Sequence, residues 1–205
     1  MKKALLAALT FIVVGFLLVN STFAMPNLET VFATVAELLD KASPEPGSET
    51  INVALVSDNT PQQLYPGGSA SRTSCVENQG TGNVYFRLVY AVQHNPDSWD
   101  KLTISFVADG YEQSSWQDIT IGTTPYKMMV FTYPQELPAS QTSPPVTLSI
   151  AMDSSMTSAE LDNYRSDFIQ TQVLAIDPTP FTEKGYTTVH AALDMALPLK
   201  TLNPF

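Results

Sequence analysis

A single cysteine, Cys75, excludes a disulfide framework and any zinc site built on several thiolates. Two histidines, His94 and His190, leave little room for imidazole-based metal chemistry, and no H-E-x-x-H motif occurs. Positive charge is scarce: ten basic residues face twenty acidic ones, for a net charge of −10. No basic field exists to hold a phosphate backbone, which argues against nucleic acid as a partner. There is no G-x-S-x-G elbow, and Gly67-Gly68 and Gly80-Thr81-Gly82 lie between apolar runs, where they serve as turns rather than phosphate loops. What is present is apolar material. Hydrophobic residues make up 44% of the 205 and aromatics 10%, enough to pack a core and too much for a disordered chain.

The first 24 residues read as a secretory signal peptide. Lys2 and Lys3 precede an apolar run from Ala4 to Val19, and Thr22 and Ala24 occupy the −3 and −1 positions of a peptidase site. Val31-Phe32-Ala33 is a second possible site, and an uncleaved membrane anchor is the rival reading. The run spans 16 residues, short of the roughly 20 a helix needs to cross hydrocarbon, so cleavage after Ala24 is preferred. Removing Lys2 and Lys3 leaves 8 basic against 20 acidic residues, a charge of −12. Such a protein stays soluble, is repelled by anionic surfaces, and touches a membrane only during export.

Residues 25–49 are read as an N-terminal helix and linker. Leu28, Val31, Phe32, Val35, Leu38 and Leu39 form one apolar stripe with Asn27 as N-cap, and Ala42 to Ser48, with two prolines and a glycine, breaks the helix. The stripe either packs on its own domain or docks on another subunit.

From Thr50 the hydrophobic period becomes two. Strands are expected at about 51–56, 70–77, 84–93, 102–107, 117–121, 127–133, 146–152 and 169–176. The near-continuous apolarity of 84–93 marks a central strand buried on both sides, with Tyr85, Arg87, Val89 and Ala91 facing opposite to Phe86, Leu88, Tyr90 and Val92. Short strands punctuated by turn signals indicate an all-β fold, a jelly-roll or immunoglobulin-like sandwich over 50–177. A short helix opens at Thr157–Glu160 with Ser158 as cap, and the 178–205 tail carries a helix from Thr187 to Leu197 that Pro198 ends.

The search for chemistry returns no catalytic, cofactor-binding or metal-ligating residue. Cys75 alternates with strand residues and reads as a small buried hydrophobe. His94-Asn95-Pro96-Asp97 reads as a turn. Asp97, Asp100 and Asp109 could approach one another at one sandwich edge, and Asp153 with Asp162 at another, although no calcium-loop spacing occurs. Trp99, Tyr111 and Trp116 are either core plugs or a sugar-stacking platform.

One resemblance rests on the first strands. Ile51-Asn52-Val53-Ala54-Leu55, Tyr65-Pro66-Gly67-Gly68, Ser71-Arg72, Val76-Glu77-Asn78, Gly80-Thr81-Gly82 and Val84-Tyr85-Phe86-Arg87-Leu88 follow in the order seen in the TasA/camelysin-like family. The segment also resembles that family's close, with a last strand at Thr171–Ile176 before an alanine-rich helix at Val189–Ala196. The resemblance implies an exported jelly-roll-like sandwich and a non-catalytic cell-surface or biofilm-matrix subunit. Its partners would be copies of itself or other matrix subunits, and subunits of such fibres can join by donating an N-terminal segment as a strand. The T-D segment usual after the signal is absent here, and the metallopeptidase label of some relatives transfers no residue. A secreted carbohydrate- or calcium-binding module is the alternative function, and a camelysin-like peptidase a lesser one.

Overall fold

The computed structural model describes residues 17–19, 50–58, 64–164, 168–199 and 202–205. The rest of the predicted signal segment, the predicted 27–42 helix and its Asn27 cap, and the Ala42–Ser48 break lie outside the described residues.

The protein is an all-β sandwich of two antiparallel sheets. The strands are β1 Leu17–Val19, β2 Val53–Ser57, β3 Ser69–Asn78, β4 Tyr85–Gln93, β5 Leu102–Val107, β6 Glu112–Gln113, β7 Gln117–Ile121, β8 Thr124–Thr132, β9 Val146–Met152 and β10 Ile169–Ile176. One sheet runs β1-β10-β4-β8, with β6 and β7 both pairing along the far side of β8. The other runs β2-β3-β9-β5. All eight expected strands are present. The core lies between the sheets, where Phe86, Leu88 and Phe131 of the first meet Val76, Leu148 and Ile150 of the second.

Two turns set the start of the domain. Gly68 N–H donates to Tyr65 O at 2.8 Å, and Gly67 has φ +79°. With Pro66 ahead of it, this is the arrangement in which proline fixes one turn residue and glycine supplies the positive φ of the next. After β3 the chain turns over Asn78, whose side chain is completely buried. Its amide nitrogen donates to Gly82 O and Leu137 O, at 2.8 and 3.0 Å, and its oxygen accepts from Gly80 N–H at 3.0 Å. The same turn holds the chain entering β2: Thr81 Oγ1 accepts from Thr50 N–H at 2.9 Å, and Gln79 N–H donates to Asn52 O at 2.7 Å.

Every residue of β4 and of β10 is buried. The outer face of their sheet is closed by the C-terminal segment, which contains α2 Thr179–Glu183 and α3 Val189–Ala196. Val189, Ala192 and Leu193 pack on Tyr85 and Ile176, while Leu197, Leu199, Leu202 and Phe205 pack against Val89, Met128, Val130 and Leu174. This second cover explains the near-continuous apolar run of β4 and why β10 is buried along its whole length. Thr188 caps α3, its hydroxyl accepting from Ala191 N–H at 3.2 Å.

α1 Ser158–Leu161 is capped by Thr157 rather than the expected Ser158. Thr157 keeps extended backbone angles while Ser158 is already helical, so only Thr157 stands three residues before Glu160 and completes the reciprocal box. Lys101 Nζ lies 2.6 Å from the Glu160 carboxylate. Hydrogen bonding to Lys101 first, and to Thr157 second, pulls the Glu160 pKa from 4.5 down to about 2. A depressed carboxylate favours the fold above its ordinary range, and that contribution disappears as pH falls through about 2. A carboxyl NMR titration should therefore place Glu160 near pH 2 in the native protein, and Lys101→Met should raise it. An ordinary midpoint with Lys101 intact would show that the bridge does not persist in solution.

Candidate functional site

Each chemical candidate of the sequence has a place in the fold, and several of the expected groupings dissolve. Asp100 precedes β5 and Asp109 follows it. Six strand residues at about 3.3 Å each separate them by roughly 20 Å, so Asp97, Asp100 and Asp109 do not converge. Asp153 accepts from Ser155 N–H at 2.7 Å, which lowers its pKa and occupies it locally. Among the described residues, no three of His, Cys, Asp and Glu gather as a metal site.

Cys75 is not a core residue. It is half-buried on the outer face of β3, because the inward positions of that strand are Ala70, Arg72, Ser74, Val76 and Asn78. Partial burial and the neighbouring Glu77 raise its thiol pKa, the opposite of what a nucleophile needs. His94 follows β4 and meets the Trp99 ring edge-on at 5.1 Å, while His190 Nε2 lies 2.8 Å from Glu112.

The three aromatics separate. Trp99 and Trp116 meet at 6.0 Å with planes 88° apart, and Trp116 reaches Phe106 of β5 at 6.1 Å. The Tyr111 ring packs instead on Phe86 and Tyr133, and its hydroxyl donates to Ser143 Oγ and Pro144 O. Burial pushes the Tyr111 pKa up to about 12. Trp99 and Trp116 are half-buried against the core beside the inner face of β5, with mutually perpendicular rings rather than one flat platform.

A cleft of about 360 Å³ opens where the 81–83 turn meets α2. It is lined by hydroxyls, the Asn83 amide and the carboxylates of Glu136 and Glu183. Glu136 already accepts from Asn83 Nδ2 at 2.7 Å and Tyr85 OH at 3.2 Å. No imidazole, thiol or cation lines it, so it presents no nucleophile–base pair.

The sheet edges are more informative. β10 is fully buried, and among the described residues its side away from β4 is paired by Leu17–Val19, in the register Leu17↔Val173, Leu18↔Gln172 and Val19↔Thr171. Both amide atoms of Gln172 and the hydroxyl of Thr171 are buried without a hydrogen-bond partner. β5, at the far edge of the other sheet, pairs among the described residues with β9 alone. β7 also lies at an edge, where Asp118 pairs with Lys127 at 2.7 Å. Sequence reading anticipated that a sandwich offers edges, but could not say which ones, because pairing order is not encoded in the period of a strand.

No family model and no curated protein matches the chain. Among solved structures it is similar to one described as "AvmM Catalyzes Macrocyclization in Alchivemycin A Biosynthesis". That likeness covers 52% of this chain and 67% of the other at 13% identity and a TM-score of 0.35, too distant to carry any argument about chemistry. No helix among the described residues is long and apolar enough to cross a membrane.

Proposed function

We propose that the protein is a non-catalytic exported subunit of a cell surface or extracellular matrix, and that residues 25–49 govern its assembly. One observation carries this reading: among the described residues, what pairs with the β10 edge is Leu17–Val19, which lies on the signal side of the expected cleavage after Ala24. Cleavage there removes β1 and opens the backbone of Thr171 to Val173 to another strand. The unanswered Thr171 and Gln172 side chains support the same reading, since buried polar groups without partners are costly. The 25–49 segment offers them Asn27, Glu29, Thr30 and Thr34. When a neighbour's segment fills the edge, the contact is head-to-tail and grows a filament rather than closing.

Mass spectrometry of the secreted protein is expected to find Met25 at its N-terminus. Light scattering and negative-stain microscopy should then show oligomers or fibres for the chain from Met25, and their loss for a chain from Glu49. If both chains remain monomeric at every concentration, assembly through this segment is wrong.

A further inference from the structure

We infer that β5 is a self-association edge, at which two copies of this chain pair antiparallel about a two-fold axis at Ser105. The inference rests on the reading of the protein as a self-associating subunit, but it concerns a different part of the chain from residues 25–49.

The register fixes which peptide groups are free. Asp153 N–H donates to Lys101 O at 2.8 Å, flanking the Leu102↔Met152 pair, which makes that pair a non-hydrogen-bonded one. Thr103, Ser105 and Val107 therefore bond to β9, and the N–H and C=O groups of Ile104 and Phe106 point to the open edge. Among the described residues no strand pairs with that side.

Apart from the β10 edge assigned above to residues 25–49, the other sheet margins among the described residues are closed or defended. β2 lies against β10, and the margin at β8 is split between the short β6 and β7, with a charged pair on the latter. β5 has none of the usual protections of an edge: Leu-Thr-Ile-Ser-Phe-Val contains no charge and no proline. In a chain of net charge −10 this neutral strip is where two copies can approach without repulsion.

The strand is complementary to itself. With the axis at Ser105, Ile104 faces the second copy's Phe106, and their free peptide groups match as hydrogen-bonded pairs on both sides of the axis. Ile104 and Phe106 are half-buried in the isolated chain, and each would gain cover from the other copy. Thr103 lies opposite the second copy's Val107, which is 61% exposed. Lys101, just before the strand, falls toward the second copy's Asp109, just after it, while its ammonium also holds Glu160 of its own chain. The product joins two four-stranded sheets into one continuous sheet.

The two-fold register has a covalent test. Ser105 would face its own symmetry mate in a non-hydrogen-bonded pair, with Cα atoms about 4.5 Å apart, within disulfide reach. In the full chain carrying Cys75→Ser, Ser105→Cys is expected to form a covalent dimer on mild oxidation. Thr103→Cys is not, because its mate lies four residues away along the strand; combining Thr103→Cys with Val107→Cys should restore cross-linking. Independently, Ser105→Lys places like charges face to face and should weaken the dimer at least about tenfold by sedimentation, with an unchanged circular dichroism spectrum. A chain that is monomeric at all accessible concentrations, or cross-linking at Thr103 as efficient as at Ser105, overturns the inference. Fibres that need residues 25–49, with no cross-link at Ser105, would sink this edge and leave the assembly reading standing.

Discussion

Replacing Arg87 with alanine is expected to destabilise the fold by about 3–5 kcal/mol, the largest loss from any single side chain outside the apolar core. Arg87 stands in the middle of β4 and is completely buried. Its Nε donates to Thr132 Oγ1 at 3.2 Å, Nη1 donates to the main-chain oxygens of Leu193 and Leu197, and Nη2 bonds the Asp194 carboxylate. The last carbonyls of a helix have no partner within it, and the guanidinium supplies one at the end of α3. Truncation strips the Leu197 carbonyl of its guanidinium donor, leaves Leu193 O with the Leu197 N–H alone, and opens a void beneath the helix.

The ion pair itself contributes little, since the Asp194 side chain is 57% exposed. Asp194→Asn should cost less than about 1 kcal/mol, and Arg87→Lys should fall between the two because an ammonium cannot reach three directions in one plane. Urea unfolding of the three variants gives the ranking. Equal, small losses for Arg87→Ala and Asp194→Asn would show that the guanidinium is not holding the helix.

The second large effect belongs to Gly80. A Cβ at this position would lie 2.1 Å from Thr50 O and 2.9 Å from Asn52 N. Both are backbone atoms of the chain entering β2, and neither can swing aside as a side chain would. Gly80→Ala must displace the Thr50–Asn52 segment, breaking the Thr50–Thr81 and Asn52–Gln79 bonds, and is expected to cost more than about 3 kcal/mol. Asn78→Ala, which removes the partner of Gly82 O and Gly80 N–H and one of the two donors to Leu137 O, should cost about 2–4 kcal/mol. Gly122→Ala is the useful contrast: nothing stands within 4 Å, so any loss there reflects only its φ of +63°. If Gly80→Ala melts at the wild-type temperature, the close approach is not present in solution.

These residues also show what a sequence can and cannot disclose. Val76, Asn78, Gly80, Thr81 and Arg87 are among those that carry the family resemblance, and each has a structural task here: core, turn staple, close passage, anchor of the β2 entry, and support of α3. The motif therefore speaks to architecture and carries no chemistry. The double burial of β4 was legible because an unbroken apolar run leaves the strand no polar face to turn toward solvent. The amphipathic helix at 189–196 was legible too, but its docking place was not. It is set by Arg87, a charged residue inside an apolar strand, whose partners at the end of that helix lie more than a hundred residues onward.

α2 escaped notice because Thr-Pro-Phe-Thr-Glu has little helix propensity; the chain turns there once the Asp177 carboxylate accepts from Thr179 N–H at 2.8 Å. The Asp97–Asp100–Asp109 grouping that the sequence allowed does not form because strands are long: residues close in sequence on either side of β5 sit at opposite ends of the sheet.

The C-terminal cover has a consequence for how the protein comes into being. β4 is reached at Tyr85, yet its neighbour β10 begins at Ile169, and the side chains that seal their shared outer surface extend to Phe205, the last residue. A chain still emerging, whether from a ribosome or through a translocation channel, has the central strand but neither its partner nor its lid. It can collapse but cannot lock. Completion of this sheet therefore waits on contacts between β4 and segments more than seventy residues further along the chain, which makes its folding a late, non-local event.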